Sequence, residues 1–409
     1  MKPSILKVLF FYIIKEKIIE RSDYMANILY YPQMSMYDKQ TKKLLPEADG
    51  NINMMRNTIN EWKKYRPDDK FFVLIPEGVF LPFAIDLKID CQYFTYKNYV
   101  VSARINRFNF PMNEFSSILK DYKFDLIIND VIELTSNFKQ LFNIEFGYTP
   151  KIISNIRHLD DVINHQYMHR VIDGIIQSDL VTILSETMYY KLDQQITLLT
   201  GGHNITNKVV IFEPSISEKE ITKYLTNAKI IDMRKITITF PGRLAKGEER
   251  RTNWDKFTTA IWELRKKRQD FEVYFTDPNN ALEIGTEVSD WTKTIPKDRN
   301  AFLNLLHKTD VIVSLMDVEG FGGISIREGL LFGCRPVIPN IHEYKKMAPK
   351  GCPYFIKSPI EVDDLVRALE RAIRFGKKNF YRDNWHNLGK QFTVEEQFKS
   401  LLPKIEELL

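Results

Sequence analysis

The sequence predicts an α/β protein with two doubly wound domains, each built on a mostly parallel sheet. Short apolar runs alternate with helical patterns along most of the chain, which is typical of βαβ units. Most of these runs are continuously apolar, as strands buried on both faces must be. The chain has 409 residues, and a single core stops growing near about 250–300 residues, so we expect two domains.

The predicted strands fall into two groups separated by a polar stretch at 213–235. Those of the first group lie at 26–32, 71–76, 92–96, 125–130, 151–156, 180–185 and 208–214. Those of the second group lie at 236–242, 271–277, 310–316, 335–341 and 352–358. Helical patterns between the strands include 53–65, 168–178, 256–268 and 299–309.

These groups divide the chain into four predicted segments. They are an N-terminal extension at 1–24, a first domain at 25–220, a second domain at 221–380 and a C-terminal segment at 381–409. The last segment ends in an amphipathic helix, which we expect to pack back across the domains.

The first 24 residues contain an apolar core, LKVLFFYII, that is too short to span a bilayer. Charged residues follow it without a small-residue cleavage site, so we expect neither stable membrane insertion nor a signal peptide. Met25 directly precedes the first predicted strand. The segment is therefore either a docking helix or an upstream extension, and the extension is favoured.

The composition is that of a soluble globular protein, with 44% hydrophobic and 27% charged residues. The cysteines Cys91, Cys334 and Cys352 have no CxxC spacing, which argues against a disulfide framework or a zinc site and predicts a reducing cytoplasm. The net charge of +5 permits an anionic ligand but does not by itself indicate nucleic acid.

The segment DVEGFGGISIREGLLFG at 317–333 predicts a ligand-binding loop between a buried strand and a helix that ends near Gly333. Glycines allow backbone N–H groups to approach a ligand, and the helix N-terminus favours a phosphate or hydroxyl groups. Glu319 and Glu328 can only accept hydrogen bonds, which suits a ligand rich in hydroxyls. The alternative is a glycine turn with solvated glutamates.

The stretch EGFGGISIREGLLFGCRPVI resembles the C-terminal signature of the GT-B glycosyltransferases, especially glycosyltransferase family 4. The resemblance implies two Rossmann-like domains that face a central cleft, with the acceptor in the first and a nucleotide sugar in the second. It assigns Glu319 to the donor sugar and Glu328 to the nucleotide ribose. The loop amides that hold the sugar would be those of Gly320, Phe321, Gly322, Gly323 and Ile324.

One departure from the family concerns the spacing of the two glutamates. Eight residues separate Glu319 from Glu328, one more than is usual in the family. The match is therefore firmer for Glu328, which is in register with Gly333 and the strand from Pro336, than for Glu319.

The second match to the family is ITITFPGRLAKGEERRTNWDKF, an apolar strand that ends in Gly-Arg and leads into a basic loop. In the family, two cations hold the donor diphosphate and stabilise the leaving phosphate. Arg243 matches the first cation. The second is open among Lys246, Arg250, Arg251 and Lys256, and helix alignment favours Arg251 or Arg250. The alternative is a solvated basic loop.

Further matches lie in the first domain. EADGNINMMRNTI resembles the family's glycine loop that approaches the sugar, with Gly50 at the turn. KIISNIRHLDD supplies His158 and Asp160 where the family has a histidine-containing loop, although a lone histidine is more often structural. Ser185 and Glu186 are predicted to cap a helix. The matches follow the family's order along the chain.

The resemblance implies a retaining transferase that moves a hexosyl or pentosyl group from a nucleotide sugar, such as a UDP-sugar, to an acceptor hydroxyl. The donor phosphate would act as the base in a front-face attack. The sequence has no DxD beside the loop, and enzymes of this fold typically need no metal, so no metal and no cofactor are predicted.

The acceptor stays open between two classes. Arg104 and Arg107, with nearby aromatic residues, form a basic and aromatic patch of a kind that can bind nucleic acid. RRTNWDKF also resembles a loop of the T-even phage DNA α-glucosyltransferases, which predicts DNA with hydroxymethylated bases. A cell-surface glycan or another sugar chain is the other class. A sugar-nucleotide epimerase and a non-catalytic nucleotide-binding module are rival functions on the same fold.

Overall fold

Two parallel sheets with helices packed on them form the framework of the molecule. The structure is a computed structural model, and it describes residues 25–34, 50–77, 91–97, 108–157, 165–201, 206–212, 217–226, 235–241, 253–276, 292–295, 299–316, 323–376 and 384–409. The predicted extension at 1–24 lies outside these residues and stays a prediction.

The first sheet has the strand order β3-β2-β1-β4-β5-β6-β7 among the described residues, and all of its pairs are parallel. Leu29 of β1 pairs with Phe72 on one side and with Ile127 on the other. The strands are β1 Asn27–Tyr31, β2 Lys70–Pro76, β3 Cys91–Tyr96, β4 Leu126–Asn129, β5 Lys151–Ile156, β6 Leu180–Ile183 and β7 Val209–Ile211.

The second sheet has the order β10-β9-β8-β11-β12-β13 within the described part of the chain, again with parallel pairs throughout. Its strands are β8 Ile236–Phe240, β9 Phe271–Thr276, β10 Thr292–Ile295, β11 Val311–Val313, β12 Arg335–Pro339 and β13 Phe355–Ile356. The predicted α/β class is confirmed. The sequence did not predict β10, because its residues, TKTI, contain no apolar run.

Helices connect the strands, and the predicted helical patterns all lie within observed helices to within a residue or two. Ser185 caps the helix that follows it, as predicted, by accepting a hydrogen bond from the N–H of Met188 at 3.1 Å. The helices are α1 Gly50–Tyr65, α2 Met112–Leu119, α3 Thr135–Glu145, α4 His165–Gln177, α5 Glu186–Thr200, α6 Glu218–Thr226, α7 Trp254–Lys267, α8 Arg299–Lys308, α9 Ile324–Leu331, α10 Val362–Arg374, α11 Trp385–Lys390 and α12 Val394–Leu408.

Several inner strands of the two sheets are buried along their whole length, which explains their mostly apolar sequences. Every residue of β4, β6, β8 and β12 is buried. Separate apolar clusters cover the sheets, and the cluster around β8 and β11 forms the core of the second half. Among the described residues, no helix is long and apolar enough to cross a membrane.

The order of strands reverses at one point in each sheet, between β1 and β4 in the first and between β8 and β11 in the second. Connections on the two sides of such a point leave in opposite directions. A crevice therefore opens beyond the carboxyl ends of these strands, where open α/β sheets bind ligands. The fold thus directs attention to the residues that follow these four strands.

The contacts between the halves of the chain include those of α12 and of Glu343. The helix α12 returns to the first half, where Phe398 contacts the ring of Trp62 in α1 with centroids 6.1 Å apart. The carboxylate of Glu343 accepts hydrogen bonds from the N–H and the hydroxyl of Thr187, at 2.9 and 2.8 Å, in the first turn of α5. The predicted boundary at 220–221 falls within α6, whose Ile221 packs in the second core. The boundary stays a prediction.

Gly389 allows α11 to pack directly on the end of α9. A Cβ atom at this position would lie 2.7 Å from the backbone nitrogen of Leu331 and 3.0 Å from the carbonyl carbon of Leu330. Neither backbone atom can move independently of α9. The short helix α11 is therefore part of the support of α9.

We expect Gly389→Ala to lower the free energy of unfolding by about 1–3 kcal/mol, because overpacking has costs of this size. Alanine is otherwise favoured over glycine in a helix by up to about 1 kcal/mol, so the clash decides the sign. Urea unfolding measures the change. The exposed control Asn387→Ala in the same helix should change stability by less than about 0.5 kcal/mol. A stabilised Gly389→Ala protein would contradict the packing described.

Candidate functional site

The glycine-rich segment spans the connection from β11 to α9, at the reversal point of the second sheet. Gly323 precedes the first turn of α9, and its carbonyl accepts a hydrogen bond from the N–H of Ile326 at 2.8 Å. Gly333 follows the helix with a φ of +77°, the left-handed conformation typical of a helix end. The predicted strand and helix are confirmed. Glu319, Gly320, Phe321 and Gly322 lie outside the described residues.

The helix α9 is seated closely on the strand that precedes it. A Cβ atom at Gly329 would lie 2.6 Å from Cδ1 and 3.0 Å from Cγ2 of Ile312 in β11. Only a glycine permits this separation without a shift of Ile312. The neighbouring residue, Glu328, is only 2% exposed.

The carboxylate of Glu328 is paired with a half-buried arginine that the sequence did not predict. Nη2 of Arg299, the first residue of α8, donates to Oε1 of Glu328 at 2.6 Å. Burial by itself would lower the pKa of Arg299, but Glu328 and Glu220 outweigh burial and raise it above the usual value. Arg299 therefore remains a cation and Glu328 has a permanent counter-charge.

Tyr344 fixes the two ends of the glycine-rich connection. Its hydroxyl lies 2.7 Å from Oγ of Ser314, just after β11, and it also hydrogen-bonds to the backbone of Gly323, just before α9. The side chain is fully buried, and this burial raises the pKa of Tyr344 to about 12. The phenol therefore stays protonated near neutral pH and can keep both contacts.

The basic loop that carries the predicted diphosphate cations leaves β8 beside this connection. Arg243, Lys246, Arg250 and Arg251 lie outside the described residues. The loop ends at Asn253, whose side-chain amide donates to the carbonyl of Leu315 at 2.7 Å. This buried hydrogen bond joins the end of the basic loop to the start of the glycine-rich connection.

The first residues of α7 have structural contacts. Nζ of Lys256 donates to the carbonyl of Ile360 at 2.7 Å. The ring of Trp254 packs against Phe240 and Phe275, with centroids 5.4 and 5.2 Å apart. In the described structure, the tryptophan of the RRTNWDKF stretch therefore belongs to the packing of the second sheet.

A second group of buried polar residues lies at the reversal point of the first sheet. Asp130 follows β4, and its Oδ1 accepts hydrogen bonds from the hydroxyl of Tyr30 at 3.2 Å, from Nδ2 of Asn155 at 2.5 Å and from Nη2 of Arg157 at 3.1 Å. Nη1 of Arg157 lies 3.2 Å from the sulfur of Met54 in α1. The group thus connects the ends of β1, β4 and β5 to α1.

Burial alone would lower the pKa of Arg157, but the charge of Asp130 outweighs burial and raises it. Burial, and then the charge of Asp130, raises the pKa of Tyr30 well above its usual value. The group therefore contains one ion pair and a neutral phenol. Oδ2 of Asp130 is buried, and no residue in the described part of the chain hydrogen-bonds to it.

The residues predicted in the first domain flank this group. His158 and Asp160 come directly after Arg157 but lie outside the described residues. Gly50 is the first residue of α1, one position into the helix and not in the turn before it. The structure thus brings the described ends of the predicted loops to the two reversal points.

Sequence reasoning missed Arg299, Tyr344, Asp130 and Arg157. Sequence features that could have identified three of these residues were present. Asp130 and Arg157 are charged residues at the carboxyl ends of predicted strands, where a parallel sheet collects polar groups. Arg299 is a cation at the start of a predicted helix, which the helix dipole disfavours. Tyr344 has no comparable signal, because its partners come from two distant segments.

No protein-family model and no curated protein matches the sequence. Solved structures match it along nearly its whole length. The chain is similar to HepE from Anabaena in complex with UDP and glucose, with a TM-score of 0.63 and 12% identity over 93% of this chain and 100% of that chain. It is also similar to sucrose-phosphate synthase from Thermosynechococcus elongatus, with a TM-score of 0.63 and 11% identity. That match covers 94% of this chain and 100% of the synthase chain.

A third similar structure is a Listeria monocytogenes protein assigned as a UDP-N-acetylglucosamine 2-epimerase, with a TM-score of 0.56 and 11% identity over 94% of this chain and 96% of that chain. Likeness at these identities establishes the fold. The chain has the GT-B fold with two Rossmann-like domains, as the sequence predicted.

We expect Asp130→Asn to lower the free energy of unfolding by about 3–5 kcal/mol, because it leaves the buried Arg157 without a counter-charge. Arg157→Met added to Asp130→Asn should recover part of the loss, since the unpaired charge is then removed. Chemical denaturation measures both changes.

The matched control for this pair is Glu407→Gln, which breaks the exposed pair of Lys404 and Glu407 at 3.2 Å. An exposed pair contributes at most about 1 kcal/mol. An Asp130→Asn protein as stable as this control would show that the buried pair does not hold the strand ends together.

Proposed function

We propose that the protein is a glycosyltransferase that moves a sugar from a nucleotide-sugar donor to an acceptor hydroxyl group. The observation that carries the proposal is the position of Glu328. It lies buried in the helix after the glycine-rich connection, at the reversal point of the second sheet. The GT-B fold and the complex of the similar HepE with UDP and glucose support a UDP-sugar as the donor.

The proposed donor site lies in the second domain. Glu328 accepts hydrogen bonds from the nucleotide ribose. Glu319 and the amides from Gly320 to Ile324 hold the sugar, close to the N-terminus of α9, where N–H groups are unpaired by the helix. An acceptor-only carboxylate is suited to ribose because each hydroxyl can donate one hydrogen bond to it.

Cations of the basic loop are proposed to hold the diphosphate. Arg243 is the first, and Arg251, with Arg250 and Lys246 as neighbours, is the second. The described contact of Lys256 with the carbonyl of Ile360 supports a second cation within the loop. Fixed positive charge at the point where the phosphate gains negative charge lowers the barrier of the chemical step.

The proposed reaction retains the configuration of the sugar. The bond from the anomeric carbon to the diphosphate oxygen breaks, and the bond to the acceptor oxygen forms on the same face. The proton of the acceptor hydroxyl passes to the leaving diphosphate. Gly50, His158 and Asp160 are proposed to approach the sugar from the first domain. Neither a metal nor a cofactor takes part, and the reaction takes place in the cytoplasm.

For the acceptor we propose a hydroxymethylated base in phage DNA. The support is the sequence RRTNWDKF and the basic residues Arg104 and Arg107, which lie outside the described residues. A sugar chain of the cell surface is the other acceptor class. The similar Listeria structure favours one second function, epimerisation of a nucleotide sugar, which would proceed without any acceptor.

We expect Glu328→Ala and Arg243→Ala each to weaken binding of UDP, or of the nucleoside diphosphate that proves to bind, by about tenfold or more, which is about 1.4 kcal/mol. Titration calorimetry measures the affinity. Thermal unfolding measures the stability of Glu328→Ala, in which, among the described residues, Arg299 keeps only the longer ion-pair contact with Glu220 at 3.6 Å. Glu263→Ala, at an exposed ion pair in α7, is the control and should bind like the wild type. Unchanged affinity in both site variants would disprove the donor site.

The acceptor is tested by incubating the protein with UDP-, GDP- and ADP-sugars and with plain DNA, hydroxymethylated DNA or bacterial glycans, followed by mass spectrometry. We expect a mass increase of one sugar on hydroxymethylated DNA alone. Transfer to glycans alone would exclude the DNA acceptor. Conversion of a nucleotide sugar without an acceptor would indicate epimerisation.

A further inference from the structure

Four charged side chains of alternating sign form a continuous series of contacts, here called the charge chain. Nη2 of Arg56 donates to Oε2 of Glu220 at 2.7 Å. Nε of Arg299 lies 3.6 Å from Oε1 of Glu220. Nη2 of Arg299 then donates to Oε1 of Glu328 at 2.6 Å. Arg299 is thus the link between the two carboxylates.

The charge chain joins helices that belong to different cores. Arg56 lies in α1, whose Ile52 and Ile59 pack in the core of the first sheet. Glu328 lies in α9, whose Ile326 packs in the core of the second sheet. Glu220 lies in α6 and Arg299 in α8. The contacts therefore fix the donor-site helix relative to the first helix of the other domain.

The four charged side chains are buried to different degrees. The side chain of Glu328 is 2% exposed and that of Arg299 is 19% exposed. Buried ion pairs are weak contributors to stability, since apolar residues of similar volume often serve as well, and their best-supported value is to specify one arrangement. Arg299 is also the first residue of its helix, where the helix dipole opposes a cation. Neither fact suggests a pair selected for stability.

The contact with Arg299 uses one oxygen of Glu328. Among the described residues, Arg299 is the only side chain that donates to this carboxylate, and it donates to Oε1. A guanidinium group is planar and presents its donors in a rigid fork, so it fixes direction as well as charge. The contact joins Nη2 to Oε1, so it restrains the carboxylate and leaves Oε2 without a side-chain donor among the described residues.

We propose that Arg299 is a positioning residue of the donor site, which holds Glu328 so that Oε2 accepts a hydrogen bond from a ribose hydroxyl. Glu220 and Arg56 keep Arg299 in place. The inference rests on the proposed function of Glu328 as the ribose ligand. Arg299 acts through Glu328 and does not itself touch the nucleotide.

A positioning role has a consequence that a structural role lacks. If Arg299 merely stabilises the fold, its substitution should weaken the binding of every nucleotide by the same factor. If it positions Glu328, its loss selectively removes the preference for a nucleotide with both ribose hydroxyls. The informative quantity is the ratio of dissociation constants of the deoxyribose and ribose forms, here called the ribose preference.

The experiment is titration calorimetry of the full chain with UDP, GDP and ADP and with their 2′-deoxy and 3′-deoxy forms. For the diphosphate that binds best, we expect a wild-type ribose preference of about tenfold or more for at least one hydroxyl, as for other sites that hydrogen-bond a substrate hydroxyl. In Arg299→Met the ribose preference should fall below about threefold, because the ribose hydroxyl then loses an oriented hydrogen-bond acceptor. Arg299→Lys keeps the charge but not the fork, so its preference should be intermediate.

The matched control is Lys266→Met, which breaks the exposed pair of Lys266 and Glu263 at 2.7 Å in α7. It should keep the wild-type ribose preference. If Arg299→Met does not fold, Glu220→Gln replaces it, because this change leaves Arg299 and Glu328 paired and removes the negative charge that Arg299 and Arg56 share. Its ribose preference should fall by about twofold to threefold.

A folded Arg299→Met protein with the wild-type ribose preference would overturn the inference and leave the proposed function intact. An unchanged preference in Glu220→Gln would do the same where Arg299→Met is unfolded. A wild type that binds a diphosphate without any ribose preference would overturn the role of Glu328 and the inference with it. A wild type that binds none of the nucleotides would overturn the proposed function itself.

Discussion

The reversal of strand order between β1 and β4, and between β8 and β11, is the constraint on which the candidate site depends. Both sheets are parallel, so all of their strands end at the same edge, and the reversal opens a crevice there. Because the central strands are buried on both faces, polar residues have to collect at their ends. In the first half these polar residues form the group around Asp130. In the second half they include Asn253, whose side chain hydrogen-bonds to the carbonyl of Leu315.

Close packing then determines how deeply the charged groups lie. Gly329 brings α9 against Ile312, and Gly389 brings α11 against the end of α9. A helix held from two sides cannot turn Glu328 towards water. The carboxylate therefore needs a counter-charge inside the protein, and Arg299 supplies it. A local rule of packing thus leads to the charge chain that connects the two domains.

The proposed chemistry uses the same features. A nucleotide sugar carries ribose hydroxyls, a diphosphate and a sugar, which need acceptors, cations and close backbone approach respectively. The second reversal point offers Glu328 and the start of α9 among the described residues, and the basic loop begins and ends beside them. Two domains contribute to one reaction only if their orientation is defined. Contacts such as those of Thr187 with Glu343 contribute to that definition.

The sequence by itself determined the α/β class, nearly every strand, and the strand–loop–helix around Glu328, because buried parallel strands and capped helices leave local patterns. It missed β10, whose residues TKTI are too polar to form such a pattern. Only the tertiary structure decided the partners of the site residues. Arg299 meets Glu328, Tyr344 meets Ser314, and Asp130 meets Arg157 across 27 to 30 residues. Pairing at such separations depends on how elements pack, and the order of residues along the chain does not encode it locally.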